Sequence, residues 1–406
     1  MRILYLAQRV PYPPDRGDKI SSWHHIERLA RDHQVTVAAF AHDQADREAA
    51  AELNGRGIET HTVDLGSATL RQLRSLVWLP TPRPLTLSFY GSRALQKVVD
   101  RLAAKNDVGM AFSSSMGKFL MPHSDLARVI VFAELDSDKW RQYAEFQSWP
   151  KSWIYAREHR TLFRFESALA RMADHNVLVT SLEERIFNQL IPGAPSVVVR
   201  NGVDLEHYQP DGTPEPGHLV FVGVMDYYPN VQGCVWFVEN VLPRLRERHP
   251  NVHLSIVGAR PNATVLALGS HPGVEVTGRV DDPRDWLRRA QVSVAPLHIA
   301  RGIQNKVLEA MAMGLPVVAT TNATQGVGGR DGDHYLVVDD VDGQVAAISG
   351  LLEDPERAVE LGRAGRTFVE RTCDWERTLK PLDTIIQDFS GHAERRSARE
   401  MQRRYV

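Results

Sequence analysis

Short β-rich runs alternate with helical runs along most of this chain, and they do so in two series divided by one polar break. That pattern constrains the fold more than any single motif. The first series has strands predicted near Ile3–Ala7, Val35–Phe40, Ile58–Val63, Val108–Phe112, Val129–Ala133 and Val177–Thr180. The second has Leu219–Val222, Val252–Val257, Val274–Val276, Val292–Ala295, Pro316–Ala319 and Tyr335–Val338. Helical spacing fills the gaps, for example Lys19–Ala30 and Trp153–Met172. Strands that alternate with helices form parallel sheets, because each crossover needs a helix to return the chain to the same edge. The break is "NGVDLEHYQPDGTPEPG", Asn201 to Gly217, rich in Pro, Gly and Asp and without a period. The expectation is α/β, with two facing Rossmann-like domains and a C-terminal helical segment. The boundaries read as 1–190, a linker at 191–217, 218–375, and a C-terminal helix returning toward the first domain with a basic tail at 376–406. Ligands in such sheets bind outside the carboxyl ends of the strands.

Length and composition exclude several classes. At 406 residues the chain has room for two or three domains. A net charge of −2 provides no field for nucleic acid. Cys234 and Cys373 cannot form a disulfide framework or a four-ligand zinc site by themselves. The N-terminus does not read as a signal peptide, since Arg9, Pro11 and Asp15 interrupt its short apolar run. No apolar run approaches the ~20 residues of a membrane span. The expected location is cytoplasmic, and the inner face of the cytoplasmic membrane stays open.

One stretch carries most of the chemistry: "RGIQNKVLEAMAMGLPVVAT", residues 301–320. Ile303–Met313 suits a helix with Val307, Leu308, Met311 and Ala312 on its apolar face. Gly314 falls just past its end, and Pro316 prevents continuation. Glu309 is an acid inside this apolar helix, on the same face as Asn305. One reading is a solvated or ion-paired helix residue. The other is a carboxylate accepting two ribose hydroxyls, with the helix N-terminus and Gly302 presenting backbone N–H groups to phosphates.

"KVLEAMAMGLPVVAT" resembles the donor-site motif of glycosyltransferase family 4, retaining enzymes of the GT-B fold. "NGVD" (201–204), "LVFVG" (219–223), "LSIVGARP" (254–261), "VTGRVDD" and "AQVSVAPL" are similar to that family's segments in order and spacing. "PYPPDRGDKI" and "ELDSDKWRQYA" further resemble sugar transferases of bacterial exosortase and exopolysaccharide systems. The resemblance implies an acceptor-binding first domain and a nucleotide-sugar-binding second domain. It implies a nucleoside diphosphate sugar as donor and a saccharide or lipid-linked acceptor. It also implies transfer without a metal or other cofactor. Glu309 takes the position of the ribose-binding acid; Gly223, Gly302, Ile303, Gln304 and Asn305 line the donor site.

The chain departs from that pattern twice. The acid that contacts the donor sugar is replaced by Arg301. The basic pair after the first strand of the second domain is missing from "GVMDYYPN" (223–230). A diphosphate leaving group still needs positive charge. The candidates are Arg301, Lys306, Arg279 and Lys19. In the first domain, Gly17, Asp18 and Lys19 of "DRGDKI" read as a tight turn near the diphosphate, or as a plain strand-to-helix connection. Glu134 and Asp136 read as acceptor-side acids, or Asp136 as the start of a helix.

"DSD" (136–138) and "DGD" (331–333) are not read as metal sites. "RQLRSLVWLPTPRPLTLSFYGSR" and "WIYAREHRTLFRF" mix arginine with Trp, Leu and Phe, so they fit either peripheral membrane contact or core-facing helices with basic outer faces. The expected activity is retaining hexosyl transfer in exopolysaccharide biosynthesis. The alternatives are a nucleotide-sugar epimerase of the same fold and a non-catalytic nucleotide-sugar-binding scaffold.

Overall fold

The structure is a computed structural model that describes residues 1–300 and 302–390. The chain divides into two units: Met1–Val199 with the segment from Leu379 onward, and Arg200–Thr378.

The first unit is built on a seven-stranded parallel sheet: β1 (Arg2–Ala7), β2 (Gln34–Ala41), β3 (Glu59–Asp64), β4 (Val108–Phe112), β5 (Ala127–Ala133), β6 (His175–Leu178) and β7 (Ser196–Val198). The spatial order is β3-β2-β1-β4-β5-β6-β7, so the winding reverses between β1 and β4. Helices cover the sheet, and its central strands are accordingly apolar throughout. Every residue of Ile3–Ala7 and of β4 is buried.

The second unit repeats the plan with β8 (His218–Val222), β9 (His253–Val257), β10 (Val274–Gly278), β11 (Val292–Ala295), β12 (Val317–Ala319) and β13 (Leu336–Val337). Its order is β10-β9-β8-β11-β12-β13, with the reversal between β8 and β11. Such a reversal leaves a crevice, because the crossovers on either side of it go to opposite faces. The loops after β8 and β11 therefore flank the place where a ligand fits.

Two segments differ from the sequence expectation. Ser196–Val198, inside the predicted linker, forms edge strand β7 against Asn176–Leu178. The rest of that segment is a strap fastened to the second unit. Asp211 pairs with Arg288 at 2.8 Å and Glu215 with Arg289 at 2.8 Å; the Gly217 N–H donates to Gln291 Oε1 at 2.8 Å. A Cβ on Gly212 would lie 2.2 Å from the Arg288 carbonyl oxygen, so only glycine lets the strap approach that closely. Long-range pairing of this kind leaves no periodic trace in sequence.

Helix Lys380–Gln387 packs on the first unit, with Asp383 against Arg28 at 2.6 Å. Residues 391–406, which include the basic tail, lie outside the described residues.

Candidate active site

The site-bearing helix of the second unit is shorter than expected. It runs Asn305–Ala312, leaving Gly302, Ile303 and Gln304 as a loop ahead of its first turn. Gly302 has φ +65, a conformation that favours glycine. A Cβ on Gly326 would lie 2.0 Å from the Gly302 carbonyl oxygen. Gln325 Nε2 donates to the Ala300 carbonyl at 2.9 Å, and Arg200 donates to the Val327 carbonyl at 2.6 Å. This loop is thus held by a neighbouring turn. Val307, Leu308, Met311 and Ala312 are buried, which fixes the face that carries Lys306 and Glu309.

Glu309 and Lys306 are three residues apart and share one side of the helix. Both are half-buried, with some surface still open. Burial pushes the Glu309 carboxyl up to about 7, opposed by the Lys306 charge and by the Tyr208 hydroxyl. Burial lowers the Lys306 ammonium to about 8, opposed by Glu309. Lys306 Nζ donates to Asn230 Oδ1 at 2.9 Å and lies 5.3 Å from the centroid of the Phe221 ring. Asn230 in turn donates to the Val224 carbonyl at 2.9 Å. The lysine therefore projects to the loop after β8, the segment that lacks the expected basic pair.

Two glycines let these loops close up. A Cβ on Gly223 would meet Asn230 Nδ2 at 2.7 Å and Lys306 Cε at 3.4 Å. A Cβ on Gly258, at the end of β9, would fall 1.6 Å from the Gly223 carbonyl oxygen. Beyond them, Arg260 pairs with Asp226 at 3.1 Å and joins the loops after β8 and β9. Asn305 accepts from Asn201 Nδ2 at 3.3 Å, which ties the helix start to the strap.

The first unit gathers polar groups at its own reversal. Gln8 Nε2, just past β1, donates to Ser115 Oγ at 2.7 Å, and Ser113 and Ser115 share a hydroxyl hydrogen bond at 2.9 Å. Ser114 Oγ donates to Asp136 Oδ2 at 3.2 Å. Glu166, fully buried, accepts from the Ser137 N–H at 3.2 Å. Burial and the Asp136 charge raise its carboxyl to about 8; burial likewise raises Asp136. Ser113 (φ 82) and Ala133 (φ 61), at the ends of adjacent strands β4 and β5, occupy a backbone region that non-glycine residues rarely adopt. Such strain concentrates where surrounding structure holds a site in place. Glu134 lies 3.8 Å from Lys139.

Several candidate residues stand elsewhere than expected. Lys19 is buried and bonded to Asp46 at 3.1 Å, so its charge faces a carboxylate inside the domain and not an incoming diphosphate. Gly17 begins the helix Gly17–Ala30 without a left-handed φ, and a Cβ there would meet nothing within 4 Å, so it makes no tight turn. Asp18 pairs with Arg16 at 2.6 Å. Arg279, past the end of β10, is exposed. Arg301 lies outside the described residues. Asp136 is the first residue of helix Asp136–Glu145, yet its carboxylate takes a hydroxyl from Ser114, in the segment after the neighbouring strand β4, rather than capping that helix.

The acids of "DSD" and "DGD" are committed to local bonds: Asp138 to Arg141 at 2.7 Å, Asp333 to Arg330 at 2.6 Å, Asp331 to the Val337 N–H at 2.8 Å. Glu215, His218 and His253 come close together at the amino ends of β8 and β9, opposite the carboxyl-end site. Their imidazoles stack within 6° of parallel, so one ion cannot lie in both ring planes.

Tyr208 and Glu166 carry no signal of a site role in the sequence, and Asn230 and Arg260 fall in quoted segments without being marked as site residues. Only "NGVD", four residues before Tyr208, marked the strap as meaningful.

Sheet order and the placement of ligand-facing loops define a GT-B architecture, two doubly wound parallel units. Residues 216–354 match the family model described as Glycosyl transferases group 1. Over 240 residues the chain is 28% identical to glycogen synthase of Mycobacterium tuberculosis, covering 55% of this chain and 56% of that protein. Over 213 residues it is 33% identical to the phosphatidyl-myo-inositol mannosyltransferase of Mycolicibacterium smegmatis, covering 49% and 53%. The chain thus spans about half the length of these relatives. Among solved structures it is similar to Anabaena HepE in complex with UDP-glucose, with TM-score 0.67, 16% identity, and coverage of 96% of this chain and 100% of that one. No helix among the described residues is long and apolar enough to cross a membrane.

Proposed function

We propose that this protein is a retaining glycosyltransferase of family 4 that moves a sugar from a nucleoside diphosphate sugar to a saccharide or lipid-linked acceptor. The observation that carries this reading is the pairing of Glu309 with Lys306 on one helix face, at the carboxyl edge where the second sheet reverses. A carboxylate there accepts the two ribose hydroxyls. The ammonium, held by Asn230, meets the diphosphate. The glycosyltransferase domain match over 216–354 supports the same assignment. One relative is named a phosphatidyl-myo-inositol mannosyltransferase, which supports a lipid-linked acceptor. Resemblance to exopolysaccharide transferases supports that pathway class.

In the step itself, the bond between the anomeric carbon and the diphosphate oxygen breaks, and its electron pair leaves with the diphosphate. The acceptor oxygen bonds to the same face of that carbon, and its proton passes to the departing phosphate oxygen. No enzyme nucleophile is required. Lys306 stabilises the charge that develops on the leaving group, which is the role a metal plays elsewhere. Transfer is therefore expected to persist in EDTA. Glu134 and Asp136 are assigned to the acceptor hydroxyl.

A panel of nucleotide sugars in a thermal-shift assay tests the donor half, because a bound donor raises apparent stability by mass action. The leading hit then enters an acceptor assay with product analysis. Conversion of the donor without acceptor would identify an epimerase. Binding without any conversion would leave a scaffold.

A further inference from the structure

Aromatic side chains crowd one stretch of the first unit. Six of the sixteen residues from Trp140 to Tyr155 are aromatic, against 8% of the whole chain, so the stretch is no average piece of surface. It forms a helical hairpin, from helix Asp136–Glu145 into the start of helix Lys151–Met172. Its rings are not hidden. Phe146, Trp149 and Trp153 are exposed by 53%, 80% and 51%, and Trp140, Tyr143 and Tyr155 are half-buried. The half-buried three pack on one another. The Trp140 and Tyr155 centroids lie 5.1 Å apart, Trp140 and Tyr143 6.0 Å, Tyr143 and Tyr155 6.4 Å. Exposed apolar surface of this size marks an interaction site or a ligand-binding surface.

The hairpin stands beyond the carboxyl edge of the first sheet. Helix Lys151–Met172 has 22 residues and is therefore about 33 Å long, and it ends just before β6 begins at the amino edge. Strand β5 has 7 residues and spans only about 23 Å. The excess length carries the aromatic end of the hairpin past the strand ends. Ser137 marks the level of that edge: its N–H donates to Glu166 at 3.2 Å, and its carbonyl oxygen lies 2.9 Å from His159 Nδ1. The rings begin one turn further on, at Trp140. Asp136, assigned to the acceptor hydroxyl, opens the same helix. The aromatic surface is thus continuous with the proposed acceptor site.

We propose that this hairpin is a stacking surface for a neutral saccharide chain, the part of the acceptor that trails away from the hydroxyl being glycosylated. One face of a pyranose ring presents C–H groups of partial positive charge, and the face of an aromatic ring is negative. Aliphatic side chains lack that face, and Ile154 is the single large aliphatic residue between Trp140 and Tyr155. Gln147 and Ser148 stand between the exposed rings and both donate and accept hydrogen bonds, as sugar hydroxyls require. An anionic ligand is the poorer occupant, because Arg141 is already matched by Asp138 and Glu145, each at 2.7 Å. The inference rests on the transfer reading for the role of the chain as acceptor, and names that acceptor as a saccharide of several units. Binding itself is measured without donor or turnover.

The test is calorimetric titration of the full chain with cellohexaose, maltohexaose and α-1,6-mannohexaose, each against its monosaccharide. At least one hexasaccharide should bind about tenfold or more tightly than its monosaccharide, because several rings stack at once. The pair Trp149→Ala and Trp153→Ala should weaken that binding about tenfold. The pair Trp149→Tyr and Trp153→Tyr should keep most of it, whereas Trp149→Leu with Trp153→Leu should lose it as alanine does. All three variants should keep the wild-type circular dichroism and melting temperature, since both side chains are exposed. Failure of the wild type to bind any hexasaccharide, equal binding by the folded alanine variant, or full binding by the leucine variant would overturn the proposal. So would a wild type that sediments with phosphatidylcholine vesicles, or dimerises, through these two tryptophans. A donor-induced thermal shift should be the same in wild type and alanine variant. Its absence from both would refute the transfer reading and leave saccharide binding standing.

Discussion

The Tyr208 hydroxyl acts on the Glu309 carboxyl to favour its ionised form, so a residue of the strap helps to set the charge state of the proposed ribose-binding acid. Burial raises the tyrosine well above the ordinary phenol range, and the adjoining carboxylate adds to that effect, so it stays a donor. The strap is held in turn by Arg366, which donates to the Tyr208 and Ala312 carbonyls.

Tyr208→Phe keeps the ring and removes the hydroxyl. Because that hydroxyl lowers the Glu309 pKa, its loss should raise it further. The acid limb of donor binding should then move to higher pH, while affinity well above that limb changes little. Donor titrations across the pH range read this directly. An unmoved limb would show that the tyrosine only packs.

Donor binding by the wild type should itself depend on pH in a defined way. Glu309 accepts two hydroxyls only when ionised. Its pKa is about 7, so affinity should fall as pH drops through that value, approaching tenfold per unit on the acid side. Lys306 loses its charge above about 8, so affinity should also decline there. The maximum should fall between these limits, which belong to the interacting pair as a whole. Glu309→Gln should remove the acid limb and weaken donor binding by about 10- to 100-fold.

Lys306→Met should lower turnover by about 10²- to 10³-fold, the usual loss for one electrostatic donor at a developing anion. Asn230→Ala should cost less, since Asn230 orients the ammonium at 2.9 Å without contributing charge. Steady-state kinetics with saturating donor separates the two. Equal losses would show that the lysine acts through loop structure alone.

Glu166 makes a stability prediction. Its folded pKa, about 8, is raised above the ordinary carboxylate value by burial and by Asp136. The protonated form is therefore favoured on folding. That contribution is fully present below the unfolded pKa of about 4.3 and is lost as pH rises through about 8. Glu166→Gln should flatten the decline, raising the melting temperature near pH 8 and not near pH 5. Each 1 kcal/mol gained corresponds to about 2–4 °C. Parallel melting curves for the two proteins would refute the assignment.

Gly258→Ala tests how closely the loops after β8 and β9 approach. A methyl group 1.6 Å from the Gly223 carbonyl oxygen cannot be accommodated without moving backbone. The variant should lose donor-induced thermal stabilisation and melt several degrees lower, as overpacking costs about 1–3 kcal/mol or more.

The architecture was legible because its signal is local and repeated. Val35–Phe40 and Leu219–Val222, for example, are read almost residue for residue as β2 and β8. β7 escaped because Ser196–Val198 is too short to show a pattern, and its partner strand defines it. The site was legible only where one helix carries it. Lys306 and Glu309 share a face by spacing alone, whereas Asn230 and Tyr208 reach them from 76 and 101 positions away along the chain.

By itself the sequence determined the two βα series, the break between them, and the helix on which an acid and a base sit side by side. These follow from local periodicity and from turn chemistry at Gly302, Gly314 and Pro316. The tertiary structure alone decided which charges are open for use. Lys19, promising beside a glycine, is matched to Asp46 in the interior, while Lys306 is carried to the loop that lacks a basic pair. It also decided that the leucines of helix Ala68–Leu76 point outward. A helix's periodicity shows that it has two faces; only packing settles which face is turned inward, because burial is a property of the neighbours.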